Sequence, residues 1–161
     1  MIQLDLTKDA YQLLAKHFDG LHSGGPRSDI RGGQTAANAA LANLDLTGYA
    51  KNRSQVLPVQ HRGATVMSPY VRHNLITLPQ LWQAASVAPK PDRDKYHDEL
   101  LWQEYARHLY ARLGTRLFEN LRFQAERENP GYGWPEGMAC VDSVLEELDE
   151  RGWLVNQTRM W

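Results

Sequence analysis

The stretch between Pro89 and Gly114 carries the longest unbroken helical pattern in the chain, and it decides the fold class. Two prolines, Pro89 and Pro91, close the segment before it, and a glycine follows where a helix C-terminus would turn left-handed, so the pattern predicts one helix over 92–113. Its apolar stripe is wide. Leu101, Tyr105 and Leu109 fall on one side, Glu99, Trp102, Gln103, Ala106 and Tyr110 on an adjacent one, and Glu104, Arg107 and His108 outside. Shorter helices are predicted over 7–18, with Thr7 as N-cap, and from Thr77 and Pro79 through Ala85. Two more are expected, over 138–151 ending at Gly152, and over the alanine-rich 34–53 with an interruption at Thr47-Gly48.

The proline- and glycine-bearing stretches 20–33, 54–65 and 129–137 read as loops, the last with Tyr132 and Trp134 exposed. A final helix is expected to begin at Trp153, with Trp153, Asn156 and Met160 on one face. Its start is marked and its end is not, which leads to the expectation that the chain is incomplete relative to its fold. No segment alternates as a strand would. An all-α helical bundle is predicted.

At 161 residues, 42% of them hydrophobic, the chain suffices for one globular domain with a core of moderate size. No apolar run approaches the roughly 18 residues that cross a bilayer, and acids at Asp5 and Asp9 do not suit a secretory signal. A soluble, cytoplasmic protein without membrane contact is expected. Cys140 is the single cysteine, so neither an internal disulfide nor a four-cysteine iron–sulfur site can form. Redox chemistry would have to come from an organic cofactor.

The net charge of -1 argues against indiscriminate nucleic-acid binding, yet the charges are unevenly spread. Between Asp45 and Asp92 there is no acid, while Lys51, Arg53, Arg62, Arg72 and Lys90 are present. That is a candidate phosphate-facing surface, or else a solvated basic loop whose partner is the acidic run 142–150. His61, His73, His97 and His108 lack the spacing of a zinc helix, so no metal site is expected. Nucleophile motifs, phosphate-binding P-loops and the glycine fingerprint of dinucleotide folds are missing as well.

Three segments carry unusual polar groups. Glu99 and Trp102 stand at i and i+3, neighbours on one helical face, a costly pairing in an ordinary core and a sensible one in a pocket for a flat, hydrogen-bonding ligand such as a nucleobase. Glu99 has three readings: a general acid, an acceptor for a base edge, or half of an ion pair with Lys95 or Arg107. Trp102 either stacks on a ligand or fills the core. The segment 64–70 offers Thr65, Ser68 and loop amides ahead of a short helix, which suits phosphate oxygens; equally, Ser68 is an N-cap with Pro69 behind it. Asn156 and Arg159 would hold a cofactor's heteroatoms and diphosphate, or pair with each other between helices.

Together these segments resemble the helical flavin-binding domain of the DNA photolyase and cryptochrome family. Three ordered blocks carry the resemblance: Thr65-Val-Met-Ser-Pro-Tyr-Val, Glu99-Leu-Leu-Trp-Gln-Glu-Tyr, and the run from Val141 to Met160. The resemblance divides the chain into an N-terminal helix and linker, 1–30, and a partial flavin-binding domain, 31–161, lacking the family's antenna domain and the C-terminal part of its flavin pocket. It implies FAD as cofactor, with Tyr49, Thr65, Met67 and Ser68 touching it and Asn156 and Arg159 beside the flavin. Tyr96 stands where the family usually has tryptophan, Gln103 where many members have arginine, and Ala64 where a hydroxyl is common. Glu99, Trp102 and Met160 fall at positions that meet a flipped pyrimidine dimer.

The implied activity is that of a deoxyribodipyrimidine photolyase, a lyase in which a reduced, photoexcited flavin passes an electron to the dimer, the ring splits and the electron returns. That needs no general base. It needs a flipped lesion against the cofactor, an acid to stabilise the charged lesion and an aromatic surface for the unstacked bases, roles that Glu99 and Trp102 suit. The implied partner is DNA containing pyrimidine dimers, with a second chain or a missing C-terminal segment completing the pocket. The alternatives are a cryptochrome-like flavin sensor and a cofactor-free helical module binding nucleic acid or protein.

Overall fold

Capping and proline chemistry set the helix boundaries, and they do so in an all-α chain. The structure is a computed structural model that describes residues 5, 7–18, 20–21, 28–124 and 137–160. Among these, seven α-helices follow in order: α1 (Ala10–His17), α2 (Gln34–Ala42), α3 (Tyr49–Asn52), α4 (Ser68–Arg72), α5 (Leu78–Ala85), α6 (Lys90–Leu113) and α7 (Ala139–Arg151). Three 3-10 turns, Val59–His61, Gly114–Phe118 and Thr158–Met160, complete the set, with no strand among the described residues. No described helix is long and apolar enough to cross a membrane.

The chain divides into two compact units, one of residues 1–30 with 136–154 and one of 31–135 with 155–161. In the first, α1 begins three residues after Thr7. The Thr7 amide and hydroxyl are both taken by Asp5 Oδ1, at 3.1 and 2.6 Å. Asp9 caps instead, its carboxylate accepting from the Tyr11 amide at 2.9 Å. At the other end of this unit, α7 stops where Gly152 turns left-handed (φ 66°) and its N–H closes onto Leu148 O at 2.8 Å. Arg151 forks onto Asp29, Nε to Oδ1 at 2.9 Å and Nη2 to Oδ2 at 3.0 Å, and lies over the Trp153 ring at 5.6 Å.

The second unit holds the larger core, in which Leu46, Tyr49, Met67, Tyr70, Ile76, Leu78, Leu81, Tyr96 and Leu100 pack together. Its α5 starts on a capping box: the Thr77 amide donates to Gln80 Oε1 at 2.8 Å and the Gln80 amide to Thr77 Oγ1 at 3.4 Å. Leu78, Leu81 and Ala85 then fall inward at helical spacing. The long helix α6 starts two residues earlier than expected, because Pro91 is tolerated in a first turn whose N–H groups have no intrahelical partner.

Two expectations are corrected here. Burial on α6 follows the single row Asp92, Tyr96 and Leu100 and stops there; Leu101 and Tyr105 are 54% and 56% exposed. Beyond Leu100 the helix exposes apolar residues, including Trp102 and Tyr110, and periodicity alone registers only that they are apolar. The expected last helix from Trp153 is also absent. Trp153, Leu154 and Val155 are buried in succession, which no single helical face allows, and only the short Thr158–Met160 turn forms. The loop expected at 129–137, with Tyr132 and Trp134, lies outside the described residues except for Gly137.

Candidate functional site

A four-residue helix is too short to persist on its own, and α3 is held from outside. Asp92, 6% exposed at the start of α6, accepts from the Gly48 amide at 3.0 Å and the Ala50 amide at 2.8 Å. The carboxylate satisfies the amides at the beginning of α3 across a sequence gap of more than forty residues, so the two helices are locked in register. Residues at the two ends of α3 are thereby aimed at α6.

One is Tyr49, whose ring meets that of Tyr96 edge to face, centroids 5.0 Å apart at 85°. The other is Arg53, which closes the helix by donating from Nη1 to Ala50 O at 2.8 Å and reaches Glu99 Oε1 with Nε at 3.1 Å. Lys95 joins from one turn earlier on α6, Nζ to the same Glu99 oxygen at 3.0 Å. Glu99 therefore lies between two cations. Of the partners weighed for it, Lys95 is present, while Arg107 pairs with Glu104 at 2.9 Å. Arg53, expected only as one basic residue of a candidate phosphate-facing surface, is here a partner of Glu99; the available signal was a basic residue one turn after Tyr49.

Burial, with the negative charge of Glu99 adding to it, pushes the Tyr49 phenol far above the ordinary tyrosine range. Burial also raises Tyr96, opposed by a hydrogen bond with the Thr65 side chain. Thr65 stands in the loop before α4. Val66, the next residue, has φ 55°, a left-handed conformation that a β-branched side chain adopts only under strain. Met67 follows, buried, as the N-cap of α4, and Ser68 is the first helical residue, one position later than an N-cap, with Pro69 behind it in the first turn.

The third segment reaches the same unit by another contact. Gln157 Nε2 donates to Ser54 Oγ at 2.9 Å, beside Arg53. The Gln157 carbonyl oxygen is buried with no hydrogen-bond partner among the described residues. Turning the amide over exchanges its two ends and leaves one of them unpaired. Asn156, Arg159 and Met160 are exposed, Met160 at 70%. Trp102 is 64% exposed, its ring edge-to-face with Tyr105 at 5.8 Å, and Gln103 is exposed beside it.

Tyr49, Thr65, Tyr96 and Glu99 are thus brought together, with Arg53 and Lys95 around the carboxylate. Trp102, Gln103, Asn156, Arg159 and Met160 lie on the surface. For a flavin dinucleotide, the hydroxyls of Thr65 and Ser68 and the unpaired amide end of Gln157 are the right chemistry for its polar atoms. Tyr49 and Tyr96, at 9% and 4% exposure, are packed on each other.

Compared with curated proteins, the chain is 27% identical over 149 residues to the deoxyribodipyrimidine photo-lyase of Synechococcus sp.. The match covers 82% of this chain and 30% of that enzyme, so the chain spans about a third of the relative's length. No family model matches. No solved structure matches with significance either.

Proposed function

We propose that this chain is the flavin-binding portion of a photolyase-like protein that repairs pyrimidine dimers in DNA by light-driven electron transfer. The observation that carries the reading is the convergence of Tyr49 with Thr65, Tyr96 and Glu99, the last three from two of the segments that resemble the family, in a chain similar to a photolyase over most of its length.

In this reading Thr65 and Ser68 hold the phosphate end of FAD and Gln157 takes one hydrogen bond from it. The bound flavin supplies the light-driven electron. Glu99 accepts an N–H from the edge of a flipped base; its two cation contacts both go to Oε1, which leaves Oε2 for that bond. Arg53 and Lys95 place positive charge where an electron-rich lesion would sit. Trp102, three residues along the same helix and exposed, offers an aromatic surface for an unstacked base.

The test is to mix the purified chain with oxidised FAD, desalt it and look for retained yellow absorbance. A coloured fraction supports the reading, and a colourless one refutes it for this chain. If colour is retained, blue light under reducing conditions should restore a dimer-containing oligonucleotide, and Glu99→Ala should depress repair while colour persists. One observation favours a second reading. The closure of Tyr49 on Tyr96 suits a cofactor-free helical module that binds nucleic acid, for which salt-sensitive DNA binding without colour is expected.

A further inference from the structure

A helix packed against one core carries its polar groups on the far side, and α6 does not. Leu101 follows Asp92, and Tyr105 follows Tyr96, by about two and a half turns, so both stand opposite the buried row. Leu101 is nevertheless apolar and 54% exposed, and Tyr105 56% exposed, with Leu109 half-buried further along the same side. An apolar row on each side of one helix belongs to an element with two packing surfaces. One is filled by α3 and α5, and the other is open among the described residues.

Charge decides what fits the open surface. On α6, Lys90, Arg93, Lys95 and Arg107 each meet a carboxylate at 2.6–3.2 Å, and Asp92 is taken by the amides of α3. Asp98 and Arg112, both exposed, have no ion-pair partner among the described residues. They stand equally far before and after Tyr105, about two turns each way, and a step of that length returns a helix to nearly the same bearing. Acid, tyrosine and arginine therefore share the open face. About 21 Å of helix separates Asp98 from Arg112, so the two cannot meet within one chain.

We infer that this face packs antiparallel against the same face of a second copy of the chain, about a two-fold axis at Tyr105. A contact of this kind sets residues equidistant from the axis against each other. Asp98 of each copy then meets Arg112 of the other, Leu101 meets Leu109, and two ion pairs flank the tyrosines. Helices crossing at about 20° stay close enough over these turns for an arginine to span the gap. A parallel pair would set like charges side by side, and a nucleic-acid strand on this face would meet Asp98 as well as Arg112. Glu99 lies about a third of a turn round the helix from Tyr105, off the contact, so the inference stands apart from the flavin reading and its failure leaves that reading intact.

The test is sedimentation equilibrium of the full chain without FAD, from about 1 to 200 μM, the range in which a small contact associates. The parent should pass from 18.4 kDa toward twice that mass. Asp98→Arg and Arg112→Glu, at exposed positions, should keep the parent's circular dichroism and weaken association about tenfold or more, since each turns two attractions into two repulsions. Mixed in equal amounts, the two variants should associate within about threefold of the parent, because every pair across the axis is again of opposite sign. A mixture no tighter than either variant alone overturns the inference, as do variants that associate like the parent. A monomeric parent overturns it too, and one whose binding of an oligothymidylate falls with Tyr105→Ala gives the face to nucleic acid instead.

Discussion

Replacing Asp92 by alanine removes the carboxylate that pins the start of α3 to α6. Two charge-assisted bonds are lost, to the Gly48 and Ala50 amides, and a carboxylate that was 6% exposed leaves a small void. Loss of a helix cap costs about 0.5–2 kcal/mol, and a buried donor left without a partner about 1–3 kcal/mol. Some of this overlaps, since water reaches part of α3 once the carboxylate is gone, so a total of about 2–3 kcal/mol is expected. In a chain of this size that corresponds to a fall in Tm of roughly 4–12 °C. Urea unfolding followed by far-UV circular dichroism measures it directly. The internal comparison is Asp94→Ala, two residues along the same helix, whose carboxylate meets Lys90 at 2.6 Å in solvent. That change should leave the midpoint close to the parent's. If Asp92→Ala and Asp94→Ala shift the midpoint equally, the reasoning that α3 is held by Asp92 is wrong.

Three other outcomes follow from the same geometry. Gly63→Ala forces a Cβ to within 2.9 Å of the Asn52 backbone carbon and 3.0 Å of Arg53 N, where no flexible side chain can yield, so about 1–3 kcal/mol of stability should be lost in the same urea assay. Arg53→Gln removes one cation from Glu99 at a pair about a third exposed; stability should change by less than about 1 kcal/mol, while repair by a flavin-loaded chain falls more than that, and equal, negligible effects on both would count against a role for Arg53. The phenols of Tyr49 and Tyr96 are raised by burial, so the folded state keeps their protons where the unfolded chain loses them. Their contribution is complete below about pH 10 and drains away as pH rises beyond it, so stability should fall on the alkaline side. Absorbance at the phenolate band should show these two of the seven tyrosines ionising only with unfolding; titration of all seven with the fold intact would refute it.

What could be read from the sequence is what depends on near neighbours. The Thr77 and Gln80 capping box, the prolines at the start of α5 and α6 and the glycines at 114 and 152 act within a turn of their own position, and each marks a helix end in the structure. The exception at α1 has a local cause too, since Asp5 takes Thr7 before it can cap. The candidate site is different because its decisive contacts are remote. Asp92 looks like an ordinary first-turn acid of α6, and nothing on its own helix discloses that its oxygens serve amides 42 and 44 residues away. Glu99 displays Lys95 at i+4 spacing, but Arg53 lies 46 residues off and was unreadable as its partner.

The same distinction explains the far half of α6. Periodicity identifies side chains whose burial would be favourable, but whether burial happens depends on a second surface arriving opposite them, and among the described residues none covers Leu101, Trp102 or Tyr105. Trp102, 64% open to solvent, does not fill the core formed by the described residues. Because Trp102 follows Glu99 by three residues on a helix fixed to α3 through Asp92, any ligand that stacks on the indole has the carboxylate on the same helical face. Asp92→Ala should therefore weaken a ligand that needs both Glu99 and Arg53, and spare one that touches Trp102 alone. Quenching of tryptophan emission by an oligonucleotide, compared between the parent and Asp92→Ala, separates these cases.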